Sequence, residues 1–168
     1  MKKGIVIILV VLVQFSFQSC CFYGDCDGDS PEPANNYKPV IMSRATFEAS
    51  VKIFPSKKIV KSGKIYIKDD IMLVNDVNKG FQIYNYSDAT NPVKIAFLEI
   101  PGATDVAIRN ATIYINQAVD LVTLKYDLTT NKVSVLYRNR NIFPQKISPQ
   151  GFGSTVKENE IIIDWIPN

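Results

Sequence analysis

Between Lys64 and Asn139 the chain alternates short apolar runs with clusters of Asp, Asn, Lys and Gly. "KIYIK", "IMLVN", "FQIYN" and "VKIAFLEI" are rich in Ile, Val, Tyr and Phe, and the breaks fall at Asp69-Asp70, at Asn78-Lys79-Gly80 and from Asp88 to Pro92. Runs of β-branched and aromatic residues between turn formers predict strands. The plan returns in "TDVAIRNATIYINQAVDLVTLKYDLTTNKVSVLYRN", with breaks at Asn110-Ala111, from Gln117 to Val119 and from Asp127 to Lys132. Alternation within runs, as in Ile65-Tyr66-Ile67-Lys68, is partial, which suits strands covered on both faces.

The second stretch copies the first. Set side by side without gaps at a shift of forty residues, Tyr86 meets Tyr126, Thr90 meets Thr130, Asn91 meets Asn131 and Val93 meets Val133. Four strands in about forty residues is the pattern of a β-propeller blade. The prediction is an all-β domain over 40–168 with two four-stranded blade-like units, at about 63–101 and 103–140. The repeated Thr-Asn lies in turn segments whose Asp, Asn and Ser oxygens can bond nearby backbone groups, so the phrase needs no ligand to explain it.

Two further elements flank the repeat. Ser43 is an N-cap candidate, and "RATFEASVKI" offers a short helix that Pro55 stops. Beyond Pro144, Pro149, Gly151 and Gly153, "TVKENEIIIDWIPN" predicts a C-terminal hairpin at about 153–167 with a Glu-Asn turn. A closed propeller has at least four blades, so two units and a hairpin form an incomplete one. Strand edges near Ile65 and Trp165 are left open to pairing. "EIIIDWI" folding back over an edge, several chains closing a ring through self-association, or a longer gene of which this is a fragment would each resolve the shortfall.

The N-terminus sets the compartment. Lys2 and Lys3 precede unbroken apolar sequence from Gly4 to Val13, and Gln14 ends the run well short of the roughly 20 residues a membrane span requires. Residues 1–19 read as a secretory signal. "FSFQSC" resembles a bacterial lipobox, with Ser19 before Cys20 as the acylated residue. More than one acyl chain, at about 0.8 kcal/mol per buried methylene, makes such anchoring stable. Residues 20–39, with Asp27, Asp29, Glu32 and three prolines, read as an acidic tether. Asp25, Asp27 and Asp29 open like a calcium loop, but Gly28 and Asn36 break that pattern. Cys21 and Cys26 could pair only locally.

"FQIYNYSDATNP" and "LVTLKYDLTTNK" resemble the LVIVD repeat, with Phe81 to Asn85 and Leu121 to Lys125 at the naming positions. Asn85 and Lys125 replace the aspartate of the consensus, and Ala89 and Lys132 replace its prolines. Tyr37 to Val51 is similar to the leader of bacterial LVIVD lipoproteins. The resemblance implies a β-propeller on the cell envelope, an outer-membrane lipoprotein facing the periplasm or the cell surface, and assigns no activity.

Charge and chemistry narrow the function. Removing Lys2 and Lys3 with the signal lowers the formal balance from +3 to +1, which gives nucleic-acid binding no global support. Lys52, Lys57, Lys58, Lys61, Lys64 and Lys68 form a run without acids that could meet an anionic surface or simply face solvent. With no histidine and no GxSxG, neither a metal, a cofactor nor a catalytic triad is expected. Asp69-Asp70, Asp105, Asp120 and Asp164 could in principle supply paired carboxylates for glycoside hydrolysis. Tyr66, Tyr84, Tyr114 and Trp165, with Tyr86 and Tyr126, could stack on sugar rings if exposed, or pack. The expectation is a non-catalytic binding or scaffold module for an envelope protein or polysaccharide.

Overall fold

The computed structural model describes residues 34–168, so the expected signal, Cys20 and most of the expected tether lie outside the described residues. Those residues fold into one compact unit of eleven strands and one short helix. Strand β1 (Tyr37–Ser43) leads into helix α1 (Arg44–Glu48), then β2 (Lys52–Pro55). Next come β3 (Ser62–Lys68), β4 (Ile71–Asp76), β5 (Gly80–Asn85) and β6 (Val93–Glu99). The second run is β7 (Ala103–Arg109), β8 (Thr112–Gln117), β9 (Asp120–Asp127) and β10 (Lys132–Asn139), and β11 (Glu160–Pro167) ends the series.

All pairing is antiparallel, in three sheets, none closed. Sheet I has the order β2-β6-β5-β4-β3 and sheet II the order β10-β9-β8-β7, while β1 and β11 form a two-stranded ribbon. Each repeat is thus a four-stranded meander, and β2 adds a fifth strand to the first. Turn chemistry follows the residues: Asn110 and Ala111 both have positive φ, as a two-residue hairpin turn requires. Gly80 enters β5 at φ 144°, where a Cβ would lie 2.0 Å from the Leu98 carbonyl oxygen, so only glycine fits.

The two meanders agree in detail. Each carries a bulge after the first ladder pair of its opening strands, Ser62–Asp76 in one and Ala103–Gln117 in the other. Each also bulges in its last strand, at Ile95 and at Leu136, beside the equivalent residues Tyr84 and Leu124. The offset is not uniform, however. Three residues separate Asp76 from its partner Gly80, but only two separate Gln117 from Asp120. Equivalent positions therefore lie 41 apart in β3–β4 against β7–β8, and 40 apart in β5 against β9. The gapless forty-residue match holds only from β5 through its following turn.

Ladder equivalence exposes how the sheets meet. The main core joins Leu73, Phe81, Ile83, Ala96 and Leu98 of sheet I to Val106, Ile113, Ile115, Val122, Leu124 and Tyr126 of sheet II. The counterparts of Leu73, Phe81 and Ile83 in sheet II are Tyr114, Leu121 and Thr123, which lie half-buried on its opposite face. Non-equivalent faces are in contact. A two-fold sandwich would bring equivalent faces together; here the second meander stacks on the first head to tail.

Four readings need correction. The helix stops at Glu48, well before Pro55, because Lys52–Pro55 pairs with β6 and Ile53 packs on the main core. Its N-cap is Ser43 as the sequence suggests, the hydroxyl accepting from the Thr46 amide at 3.3 Å. No C-terminal hairpin forms over 153–167: the Glu158-Asn159 turn is present, but β11 pairs with β1 from the other end of the chain. The fold consequently starts inside the expected tether of 20–39, with Tyr37 to Pro39 already in β1. Nor does "EIIIDWI" seal an edge of either large sheet. Ile161 and Ile163 instead build a second core with Phe47, Ala118 and Val119, at the end of the sheets where the β8–β9 turn lies.

Candidate functional site

The densest polar cluster forms where α1, β9 and β10 converge. Asp120 opens β9 with its side chain fully buried. Its two oxygens accept from Arg44 Nη1 at 2.8 and 2.7 Å, from Arg138 Nη1 at 2.9 Å and from the Asn141 amide at 3.0 Å. Burial pushes this carboxyl upward, but the hydrogen bonds from Arg44, the Asn141 amide and Arg138 outweigh it and hold its pKa below the ordinary aspartate value. Both guanidinium groups also lie over the Phe47 ring, 5.7 and 5.3 Å from its centroid.

Glu48 extends the cluster outward. Its carboxylate accepts from Arg140 Nη2 at 2.8 Å, and Arg140 Nε makes an ion-pair contact at the same distance without hydrogen-bond geometry. An open groove of about 680 Å³ runs beside it, lined by Glu48, Val135, Tyr137, Arg138, Arg140 and Ile142. Arginine stays protonated at any ordinary pH and Asp120 is held ionised. The cluster is built of paired opposite charges. Its chemistry is that of a clamp that fixes α1 and the chain after β10 to sheet II.

A second cluster sits at the same end. Lys146 Nζ donates to Asn78 Oδ1 at 2.9 Å, and Asn78 donates in turn to Asp164, which Lys79 also approaches at 3.6 Å. Burial lowers the Lys146 amine below its ordinary value, against the opposing charge of Asp164. The cavity here is about 280 Å³ and includes Trp165 and Pro149 in its wall.

The structure scatters the residues singled out from sequence. Tyr66 points between the sheets, its hydroxyl accepting from the Ile108 amide at 3.2 Å and donating to the Ile108 carbonyl at 3.3 Å. Trp165 is buried and its indole N–H donates to the Lys146 carbonyl at 3.1 Å. Tyr84 and Tyr114 lie half-buried on the outward faces of sheets I and II respectively. The four aromatics share no surface.

The acids are dispersed as well. Asp69 pairs with Lys68, Asp105 with Lys64, Asp120 with the arginines and Asp164 with Lys79. Among the described residues no three His, Cys, Asp or Glu side chains gather as a metal site would require. The lysine run is partly neutralised, since Lys57 reaches Glu99, Lys64 reaches Asp105 and Lys68 reaches Asp69.

The repeated turns are held as their sequence implies. Asp88 Oδ1 accepts from the Thr90 amide at 2.9 Å and the Thr90 hydroxyl at 2.6 Å, while Asp127 Oδ1 accepts from the amides of Thr129 and Thr130. Sequence reasoning missed the arginine clamp. Arg44 and Arg138 stand 94 positions apart, and nothing local marks Asp120 as their common partner. Among the described residues no helix is long and apolar enough to cross a membrane. Compared with family models, with characterised proteins and with solved structures, the chain matches none.

Proposed function

We propose that this chain is a lipid-anchored protein of the bacterial cell envelope, built from propeller-type repeats of the LVIVD kind, with a non-catalytic binding or scaffold role. The observation that carries the reading is the head-to-tail stacking of two equivalent meanders. Such stacking is how blades follow one another around a propeller, and it yields a rigid platform rather than a cleft. The dispersal of Asp69, Asp105, Asp120 and Asp164 onto separate cations supports a platform over a hydrolase. The anchor is Cys20, set behind the apolar run and before an acidic tether.

The anchor has a direct test. Cells expressing the chain are fractionated and its intact mass is measured, beside the variant Cys20→Ala. The wild-type chain should be membrane-bound and carry the added mass of acyl chains, whereas the variant should be released or left unprocessed. A Cys20→Ala chain that stays membrane-bound and is normally processed contradicts the reading.

A further inference from the structure

Among the described residues, head-to-tail stacking leaves one face uncovered at each end of the pair. On sheet I the uncovered face carries Ile65 and Ile67, 61% and 48% exposed, with Met72 and Tyr84 half-buried beside them. Ile67 stands opposite Met72 in the ladder, and Met72 opposite Tyr84, so these side chains form one continuous apolar strip. The upper part of the same face is already covered. There Lys57 donates its amide to Gln82 Oε1 at 3.1 Å and lays its amine 3.8 Å from the Phe97 ring centroid.

The equivalence of the meanders says what this strip is shaped to meet. Its counterparts in sheet II are Val106 for Ile65, Ile108 for Ile67, Ile113 for Met72 and Leu124 for Tyr84, all packed in the core between the sheets. Those residues rest on the inner face of sheet I. The matching surface that remains uncovered is the outward face of sheet II. It carries Tyr114, Leu121 and Thr123, with Tyr137, 63% exposed, opposite Thr123 in the ladder. One molecule therefore displays both halves of an interface that it already contains once.

We infer that a second copy of this chain docks on the Ile65–Ile67 strip through its own Tyr114–Tyr137 face, repeating between molecules the contact between the two sheets. Such a contact is heterologous, and heterologous contacts either close into rings or propagate. Two copies supply four meanders, the smallest number that closes a propeller, so a ring of two copies with two identical junctions is the assembly expected. This inference rests on the repeat reading given above and is independent of the acyl anchor. Loss of the Cys20 result would leave it standing, and loss of self-association would leave the anchor standing.

The test is sedimentation equilibrium of the full chain in a neutrally buoyant detergent, with Ile67→Asp and Tyr137→Asp alone and mixed. Each substitution places a charge in one half of the junction and should weaken association by about a hundredfold or more, since an unpaired buried charge is costly. Mixed one to one, the two variants retain one intact half each. They should recover a two-copy species through a single junction. A wild-type chain that remains a single copy at the highest soluble concentration overturns the inference. So does association that survives both substitutions, or loss with Ile67→Asp only, which would indicate like faces meeting. Native circular dichroism is required of each variant; Ile65→Asp and Leu121→Asp replace either one that fails to fold, and failure of the mixture to recover with natively folded variants also overturns it.

Discussion

Sheets I and II are built on one plan and live in different surroundings. Phe81 and Leu121 occupy the same place in the third strand, yet Phe81 is fully buried between the sheets and Leu121 lies half-buried on an outward face. Gly80 and Asp120 also correspond. In sheet I the position demands glycine because the Leu98 carbonyl approaches closely, while in sheet II it holds the carboxylate that clamps Arg44 and Arg138. The difference teaches that a repeated sequence fixes strand geometry, and that stacking order decides what each copy's faces must do. The covered side is the more purely apolar one: Leu73, Phe81 and Ile83 inside sheet I answer to Tyr114, Leu121 and Thr123 outside sheet II.

The comparison breaks most sharply at the inward position. Phe81→Ala removes a fully buried ring and should destabilise the fold by about 4 kcal/mol, whereas Leu121→Ala should cost about 1 kcal/mol. Denaturant unfolding of dilute protein measures both, and equal losses would mean that the two faces are equally covered.

Next in size is the clamp. Asp120→Ala leaves the largely buried Arg138 without its ion-pair partner and Arg44 with only Glu48 at 3.8 Å, and should cost about 3 kcal/mol, where an isosteric change at an exposed acid would cost little. The pH dependence has a definite sign. Because the folded pKa of Asp120 is depressed, its contribution is present above the ordinary aspartate pKa of about 3.9 and is lost as pH falls through the lower folded value. Acid unfolding of Asp120→Asn should lack that component; an unchanged acid limb would show that the clamp contributes nothing.

The smallest effects belong to the shared turns. Asp88→Ala and Asp127→Ala each remove an exposed carboxylate that bonds backbone amides two or three residues on. Thermal unfolding should register slight and similar shifts in both, below those of the core and the clamp. A large shift in one alone would give that turn a role outside the repeat.

Much of this architecture is legible in the sequence because it is local. Strands, two-residue turns and the Ser43 cap follow from residues within a few positions of one another. What escapes is set at long range. The pairing of β1 with β11 joins Tyr37 to Pro167, and no periodicity in either segment names its partner. The single residue by which the β4–β5 turn exceeds the β8–β9 turn changes the offset of the repeat, and a gapless match passes over it. Aromatic identity was likewise ambiguous, since Tyr66 and Trp165 spend their polar atoms on backbone groups inside the fold while Tyr84 and Tyr114 face outward. The early end of α1, after which β2 joins sheet I, is concealed by a run of good helix formers.

The most direct test of head-to-tail stacking is a set of methyl contacts across the sheets in solution, read by nuclear Overhauser effects from selectively labelled Ile, Leu, Val and Thr. The account predicts contacts from Ile83 and Leu73 to Val122, Leu124 and Ile115, with the Thr123 methyl seeing none of the sheet I core. Contacts from Ile83 to Thr123 and Leu121 instead would mean that equivalent faces meet, and would contradict it.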